Sequence, residues 1–352
     1  MNTASDARQA GIAPARGFDP VAAWLFLICA LVFAMVVLGG VTRLTESGLS
    51  MVNWRPVTGW LPPLSQAEWQ AAFDAYRQSP EYHHINRGMS LEGFQGIFWL
   101  EYLHRLFGRV IGIAFFVPFV WFMVRGRLTG SLRTKCAVMF VLGGLQGVLG
   151  WYMVKSGLID EPSVSQYRLG AHLSLALAIY LFALWTALDI VQPRAKALAA
   201  GQGPAAKLAA GLLAIVFLTV FSGALVAGLD AGFLYNTFPL MDGRLFPADG
   251  FGLTPAYLNF FEDRATVQFD HRVLAMTTVC LVFAYWIWVR RSDAAPGVKQ
   301  AAGLMVLAVF AQATIGISTL LMVVPVWLGA LHQAGAVVLL TAGTWTLHQA
   351  RR

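Results

Sequence analysis

The sequence predicts an all-α integral membrane protein whose eight transmembrane helices form two four-helix bundles related by a pseudo-twofold axis. Three observations predict it. First, 57% of the 352 residues are hydrophobic and only 12% are charged, about half the charged share of a soluble domain, which points to lipid as the solvent. Second, apolar runs of membrane-spanning length recur along the chain. Third, short polar motifs inside these runs repeat between the first four and the last four.

A helix needs about 20 apolar residues to cross a bilayer. Runs that meet this are expected as helices at 21–42, 98–124, 134–155, 167–190, 206–228, 267–290, 299–322 and 326–348. Residues 1–20 read as a polar tail, 21–190 as the first half, 191–206 as a linker and 207–348 as the second half. The first run, Val21 to Val41, exceeds the apolar stretch of a secretory signal and no small-residue cleavage pattern follows it, so it is expected to stay as a helix.

Lysine and arginine set the orientation, because they collect on the cytoplasmic side. Arg125, Arg127, Arg133 and Lys135 separate the second and third runs. Arg194, Lys196 and Lys207 separate the fourth and fifth, Arg290, Arg291 and Lys299 the sixth and seventh, and Arg351 and Arg352 end the chain. The opposite links are poorer, with Lys155 and Arg168 flanking one and none at 323–325. Both termini are therefore expected to be cytoplasmic. Two long loops, 43–97 and 229–266, then lie outside. Their aromatics (Trp54, Trp60, Trp69 and Trp99; Tyr235, Phe238 and Phe246) form either an interfacial belt or a lid over a site. The net charge of +7 sits in these short clusters, which excludes nucleic acid as a partner. Cys29, Cys136 and Cys280 each lie inside an apolar run and read as small core residues. Without a clustered set they exclude thiolate zinc and iron–sulfur centres, and no loop disulfide is possible.

EYLHR (101–105) in the second run matches QFDHR (268–272) in the sixth, an offset of 167 between His104 and His271. LGAHLSLAL (169–177) resembles LGALHQAGA (328–336), with His172 and His332 offset by 160, and LQGVLGWYMV (145–154) matches AQATIGISTL (311–320). Each half has an even number of helices, so the repeat is parallel, with its axis along the membrane normal.

Four of the seven histidines, His104, His172, His271 and His332, are expected five to six residues into helices that start on the outer side, at matched depth. Ionisable residues inside a membrane are costly and tend to be functional. Zinc asks for three or four ligands, whereas a facing pair of imidazoles suits the two axial positions of haem iron. Arg105 and Arg272 follow a histidine in both halves and can pair with haem propionates. The halves differ at Glu101, which is Gln268 in the second, and at Arg109, which is Met276. A carboxylate one turn from His104, in one half only, suggests that the first half does chemistry and the second holds a stable haem. Asp270 is a weaker candidate partner in the second half. His83, His84 and His348 read as polar surface.

GGVTRLTESGLSMVNWRPVTGWLPP (39–63), EYLHRLFGR (101–109), QFDHR (268–272) and the two later histidines closely resemble the haem A synthase family, above all its mitochondrial and alphaproteobacterial branch. The resemblance covers nearly the whole chain. It implies oxidation of a ring methyl group of haem O to a formyl group, giving haem A for cytochrome c oxidase in the cell inner membrane. Carried over, Glu101 is the catalytic carboxylate. His104 and His172, with Arg105, face the substrate haem. His271 and His332, with Arg272, hold a haem b cofactor. Partners implied are a haem O synthase and cytochrome oxidase assembly factors, with a homo-oligomer left open. Some bacterial members carry a cysteine pair in an outer loop, which this chain lacks. The competing readings are a di-haem electron-transfer protein of the quinol or ferric reductase type, and a transporter or haem carrier. The first would place haems at two depths. The second would favour broken helices, for which Gly143, Gly144 and Gly147 are the place to look. Iron with two histidine ligands has no open position, so either His104 or His172 releases or water supplies the oxygen atom.

Overall fold

A computed structural model describes residues 19–53, 59–157, 164–193 and 203–352. The tail 1–18, Trp54, Arg194 and Lys196 lie outside the described residues. The helices are α1 (Pro20–Leu44), α2 (Gln66–Tyr76), α3 (Pro80–His84), α4 (Leu91–Val124), α5 (Gly130–Gly157), α6 (Gln166–Val191), α7 (Pro204–Gly228), α8 (Asn259–Glu262), α9 (Arg264–Arg291), α10 (Pro296–Leu321) and α11 (Val326–Ala350). All but α2, α3 and α8 are long and apolar enough to cross a membrane. Among the described residues there is no strand.

The helix starts follow from local chemistry. Asp19 Oδ1 accepts from the amides of Val21 (2.8 Å) and Ala22 (3.2 Å), and Pro20 needs no amide partner in the first turn. The outward faces are apolar. Only 11% of the spanning window of α4 and 6% of that of α5 is buried within the protein. Val117, Val141 and Leu307 stand open on these faces. Water would not tolerate such a surface, and lipid does.

Two rings of four form. In the first, α1 packs on α4, α4 on α5, α5 on α6 and α6 on α1. In the second, α7 packs on α9, α9 on α10, α10 on α11 and α11 on α7. The rings meet through α1 on α11, α6 on α7, and α6 on α11. Exchanging the halves turns the first of these contacts into the second and maps the third onto itself, as expected for a pseudo-twofold axis between α6 and α11. The sequence of buried, half-buried and exposed positions along 171–190 recurs position for position along 331–350. At this seam Ala183 and Ala187 are fully buried, small side chains that let helices approach. The Tyr180 hydroxyl lies 2.7 Å from Thr341 Oγ1.

The expected spans hold, with four corrections. Helix α4 begins at Leu91 rather than 98, because Ser90 caps Gly93 (3.1 Å) and the extra turns bury Phe94 and Phe98 against the preceding loop. His104 therefore lies deeper along its helix than the other three histidines do along theirs. That loop is itself partly helical, with Ser65 and Glu68 forming a capping box that starts α2. Cys29 and Cys136 are buried as expected, but Cys280 faces outward, because the apolar surroundings on that face are lipid. His348 is fully buried, not surface: α6 and α11 close over it, its Nε2 meets Asp189 Oδ1 at 3.2 Å, and Lys135 reaches the same carboxylate. His83 and His84 are exposed, and α5 runs unbroken through Gly143, Gly144 and Gly147.

Ala183→Leu adds three carbons to a packed seam. It should cost about 1–3 kcal/mol and lower the melting temperature in detergent. Leu307→Ala, on the lipid-facing side, should leave it within about 0.5 kcal/mol. Thermal unfolding of the two variants side by side checks the assignment of inner and outer faces.

Candidate functional site

Each of the four intramembrane histidines lies on a glycine of the preceding membrane helix. A Cβ built on Gly39 of α1 would stand 3.0 Å from His104 Cε1, and one on Gly150 of α5 would stand 3.0 Å from His172 Cε1. In the second half the distances are 3.0 Å from Gly223 of α7 to His271 and 2.6 Å from Gly316 of α10 to His332. Any side chain at these positions would displace the ring. The pattern is the same in both halves: first helix to second, third to fourth.

His271 and His332 face one another with ring centroids 6.4 Å apart and planes at 90°. A metal–nitrogen bond of about 2 Å on each side, plus about 1.2 Å from each nitrogen to its ring centre, sums to about that spacing. The gap thus fits one metal ion bound axially by two imidazoles. No group of three or more His, Cys, Asp or Glu suited to a metal ion occurs among the described residues. A bis-histidine haem fits this donor set better than zinc does.

Neighbouring side chains orient the rings. Gln312 Nε2 donates to the His332 carbonyl oxygen (2.8 Å) and lies 3.1 Å from its Nδ1. Gln146 Nε2 likewise donates to the His172 carbonyl oxygen (3.0 Å), but it lies 3.3 Å from the other ring nitrogen, Nε2. Ser222 Oγ lies 2.8 Å from His271 Nδ1 and gives its own proton to the Thr219 carbonyl (2.8 Å). Its oxygen must then accept from Nδ1–H, which fixes the tautomer that leaves Nε2 with a lone pair. In the first half the residue before the glycine is Leu38, and His104 Nδ1 is buried without a hydrogen-bond partner.

Glu101 is buried, 3% exposed. Arg105 Nη2 donates to Oε1 (2.5 Å), and Ser50 Oγ (2.7 Å) and Met51 N (2.6 Å) donate to Oε2. Arg105 also reaches the carbonyls of Met51 (2.9 Å) and Asn53 (3.2 Å). Arg272 repeats this grip on Tyr235 and Thr237, both at 2.8 Å. Gln268 stands where Glu101 does, but its Nε2 donates to the carbonyls of Ala231 (2.9 Å) and Tyr235 (3.1 Å). Both arginines tie the long loops to the helices that carry histidines. Arg109 lies over the Trp60 ring at 5.7 Å. Asp270 lines a mostly apolar cavity of about 310 Å³ between α7, α8 and α9. Among the described residues it makes no hydrogen bond to a histidine, and the partner of His271 is Ser222. Trp69, Phe73, Tyr76, Phe94, Phe98 and Tyr102 form one aromatic cluster, so the first loop caps the Glu101 side as a folded unit.

Residues 22–344 match the COX15-CtaA family model, described as cytochrome oxidase assembly protein. The chain belongs to this family. It is 53% identical to a heme A synthase of Nitrosospira multiformis over 95% of this chain and 94% of that protein. It is 51% identical to a heme A synthase of Parvibaculum lavamentivorans over 94% of each. It is 49% identical to the heme A synthase COX15 of Arabidopsis thaliana over 94% of this chain and 75% of that protein.

Sequence reasoning named the histidines, the arginines and Glu101. It missed Ser222, the two glutamines and the four glycines. The glutamines and two glycines had a legible signal, since Q-x-x-x-G occurs at 146–150 and 312–316 inside a matched repeat. Gly316→Ala is expected to push the His332 ring aside and lower the haem-to-protein ratio of the purified protein. Gly143→Ala, where an added Cβ meets nothing within 4 Å, should leave that ratio unchanged. Absorbance spectra of the two variants decide between them.

Proposed function

We propose that this COX15-CtaA family member oxidises the ring methyl group of haem O to a formyl group, giving haem A. The observation that carries the reading is a buried carboxylate one turn before a histidine in one half only: Glu101 in the first half, Gln268 in the second. We assign 21–190 to the substrate haem, with His104 and His172 facing it, and 207–348 to a haem b held by His271 and His332. Bound there, haem b supplies a one-electron redox centre.

Balanced against water, one methyl carbon and one water give a formyl group, four protons and four electrons, and the electrons must pass to an external electron acceptor. Glu101 is placed to receive protons and to stabilise positive charge growing at the reacting carbon. Its three hydrogen-bond donors hold it in one position one turn from His104. Arg105 keeps the loop closed above it. Ser222 holds His271 as a fixed ligand, whereas His104 lacks such a partner, which favours His104 as the more labile ligand on the substrate side. The long apolar tail of the substrate suits a pocket open to lipid. The basic clusters at the ends opposite the long loops support cytoplasmic termini and an outer position for both sites in the inner membrane. A haem O-forming enzyme would supply the substrate, and cytochrome oxidase assembly would consume the product.

Extraction and mass analysis of the haems copurifying from cells that make haem O tests the reading first. Haem b with haem A, or with a hydroxylated haem O, supports it. Haem b alone, rapidly reduced by a quinol, would replace it with the electron-transfer reading. Glu101→Gln should lower turnover by at least about a hundredfold while the haems stay bound. Turnover near wild type would remove Glu101 from the chemistry. Ser222→Ala should weaken haem b binding by about tenfold, read by haem loss to apomyoglobin, without changing the substrate haem's off-rate.

A further inference from the structure

The electrons of the proposed reaction must leave the protein, and the second half offers them an exit. The cavity of about 310 Å³ between α7, α8 and α9 is of a size that holds small organic ligands. Leu218 and Phe221 of α7 and Val273 of α9 form apolar walls. Leu218 and Val273 stand exposed on the lipid-facing side, so the cavity opens to lipid. Phe260 and Phe261 of α8 cover it at the loop end, and this cover is held firmly. Asn259 is fully buried, accepting from Leu253 N (2.8 Å) and donating to the carbonyls of Leu253 and Ala256 (both 2.9 Å). Gln166 of α6 donates to the Phe261 carbonyl (3.3 Å), and the Tyr167 hydroxyl donates to Glu262 (2.9 Å), so α8 is pinned to the first half.

Two polar side chains line this apolar cavity, Asp270 and Ser222. Asp270, in the second turn of α9, is half-buried, and among the described residues no hydrogen bond or ion pair holds its carboxyl. A carboxyl in a lipid-facing cavity is costly, and such groups mark functional sites. Ser222 Oγ lies 2.8 Å from His271 Nδ1, so a molecule in the cavity lies against the side chain that orients a proposed haem b ligand. The first half has neither group: the repeat sets Leu103 at the position of Asp270 and Leu38 at that of Ser222. The polar pair therefore belongs to the half assigned to the resident haem. An acyl chain would gain nothing from the carboxyl. A flat ring with a long apolar tail, bearing hydroxyls when reduced, meets every feature: phenyl rings to pack on, a carboxyl to accept from a hydroxyl and an opening to lipid for the tail.

We propose that this cavity binds a membrane quinone, which takes up the electrons of the reaction. The proposal rests on the synthase reading, in which those electrons are released. The quinone ring lies among Phe221, Phe260 and Phe261, its tail leaves between Leu218 and Val273, and Asp270 accepts a hydrogen bond from a hydroxyl of the reduced form. Each quinone takes two electrons and binds two protons at its two oxygens. One methyl carbon, one water and two quinones thus give one formyl group and two quinols, with no electron or proton left over.

The purified, haem-loaded protein in quinone-free phosphatidylcholine nanodiscs is photolabelled with a short-tailed azido-ubiquinone, or its naphthoquinone counterpart, and the adduct is mapped by mass spectrometry. Labelling of α7, α8 or α9 around the cavity is expected, displaced by excess decylubiquinone but not by added phospholipid. Leu218→Trp and, from the other wall, Val273→Trp fill the cavity and should each weaken decylubiquinone binding about tenfold. Asp270→Leu, which installs the first-half residue, should weaken decylubiquinol about tenfold and the quinone much less. Leu307→Trp, on another lipid-facing surface, should change neither. In protein whose haem is reduced beforehand, decylubiquinone should reoxidise the haem, about tenfold more slowly in the cavity-filling variants at equal haem content. Labelling elsewhere, labelling displaced equally by phospholipid, or unchanged binding in the tryptophan and leucine variants would overturn the proposal. Wild type that makes haem A but binds no quinone here overturns the proposal alone. Wild type that binds quinone here but makes no haem A overturns the synthase reading and leaves the binding site standing.

Discussion

An imidazole can lie against a helix only where that helix carries no side chain, and this constraint organises the interior. Gly39, Gly150, Gly223 and Gly316 each receive a histidine ring. In each half the first helix is thereby drawn to the second and the third to the fourth. Gln146 and Gln312 reinforce the second of these contacts by binding the histidine carbonyl from the neighbouring helix. With both pairs fixed, the ring of four closes through its first and fourth helices, and those are the helices through which the two halves meet. Fold and site therefore depend on the same close approaches.

The repeated frame is filled differently on its two sides. Ser222 dictates which nitrogen of His271 carries the proton, and Leu38, its counterpart before Gly39, cannot do this for His104. A histidine fixed in tautomer and direction makes a durable ligand. One without that support yields more easily. In the reading proposed above, this difference makes His104 the ligand better placed to release.

Much of this was legible in the sequence because lipid imposes a simple rule, that long apolar runs are helices, and because duplication exposes what each half keeps. The eight spans, the four histidines and the Glu101/Gln268 difference follow from those two facts. What was not legible depends on neighbours far along the chain. The outer turns of α4 contain Glu92, Gln95 and Gly96 and do not read as a span, yet Phe94 and Phe98 are buried by Trp69 and Phe73. His348 looks like a chain-end polar residue until α6 supplies Asp189 and Trp185 around it. Ser222 is one hydroxyl in an apolar helix, and only its distance to His271 gives it meaning. Periodicity reveals a face but not what that face meets.

The loops show why Glu101 and Gln268 are not interchangeable despite sharing a position. Around Glu101 the first loop presents donors, the Ser50 hydroxyl and the Met51 amide. Around Gln268 the second loop presents acceptors, the carbonyls of Ala231 and Tyr235. Each loop is complementary to one side chain and mismatched to the other, since a carboxylate facing carbonyls would be repelled and an amide nitrogen facing donors would be left unpaired. Arg105 bridges Glu101 and the carbonyls of Met51 and Asn53, so the position of the carboxylate and the closure of the cap cannot vary separately. In the second half Arg272 makes the same loop contacts, and at the position of Glu101 it meets the neutral Gln268 oxygen, at 3.3 Å. The acidic side chain is thus matched by its helix, its arginine and its loop at once, which places the chemical difference between the halves in the folded caps as much as in one residue.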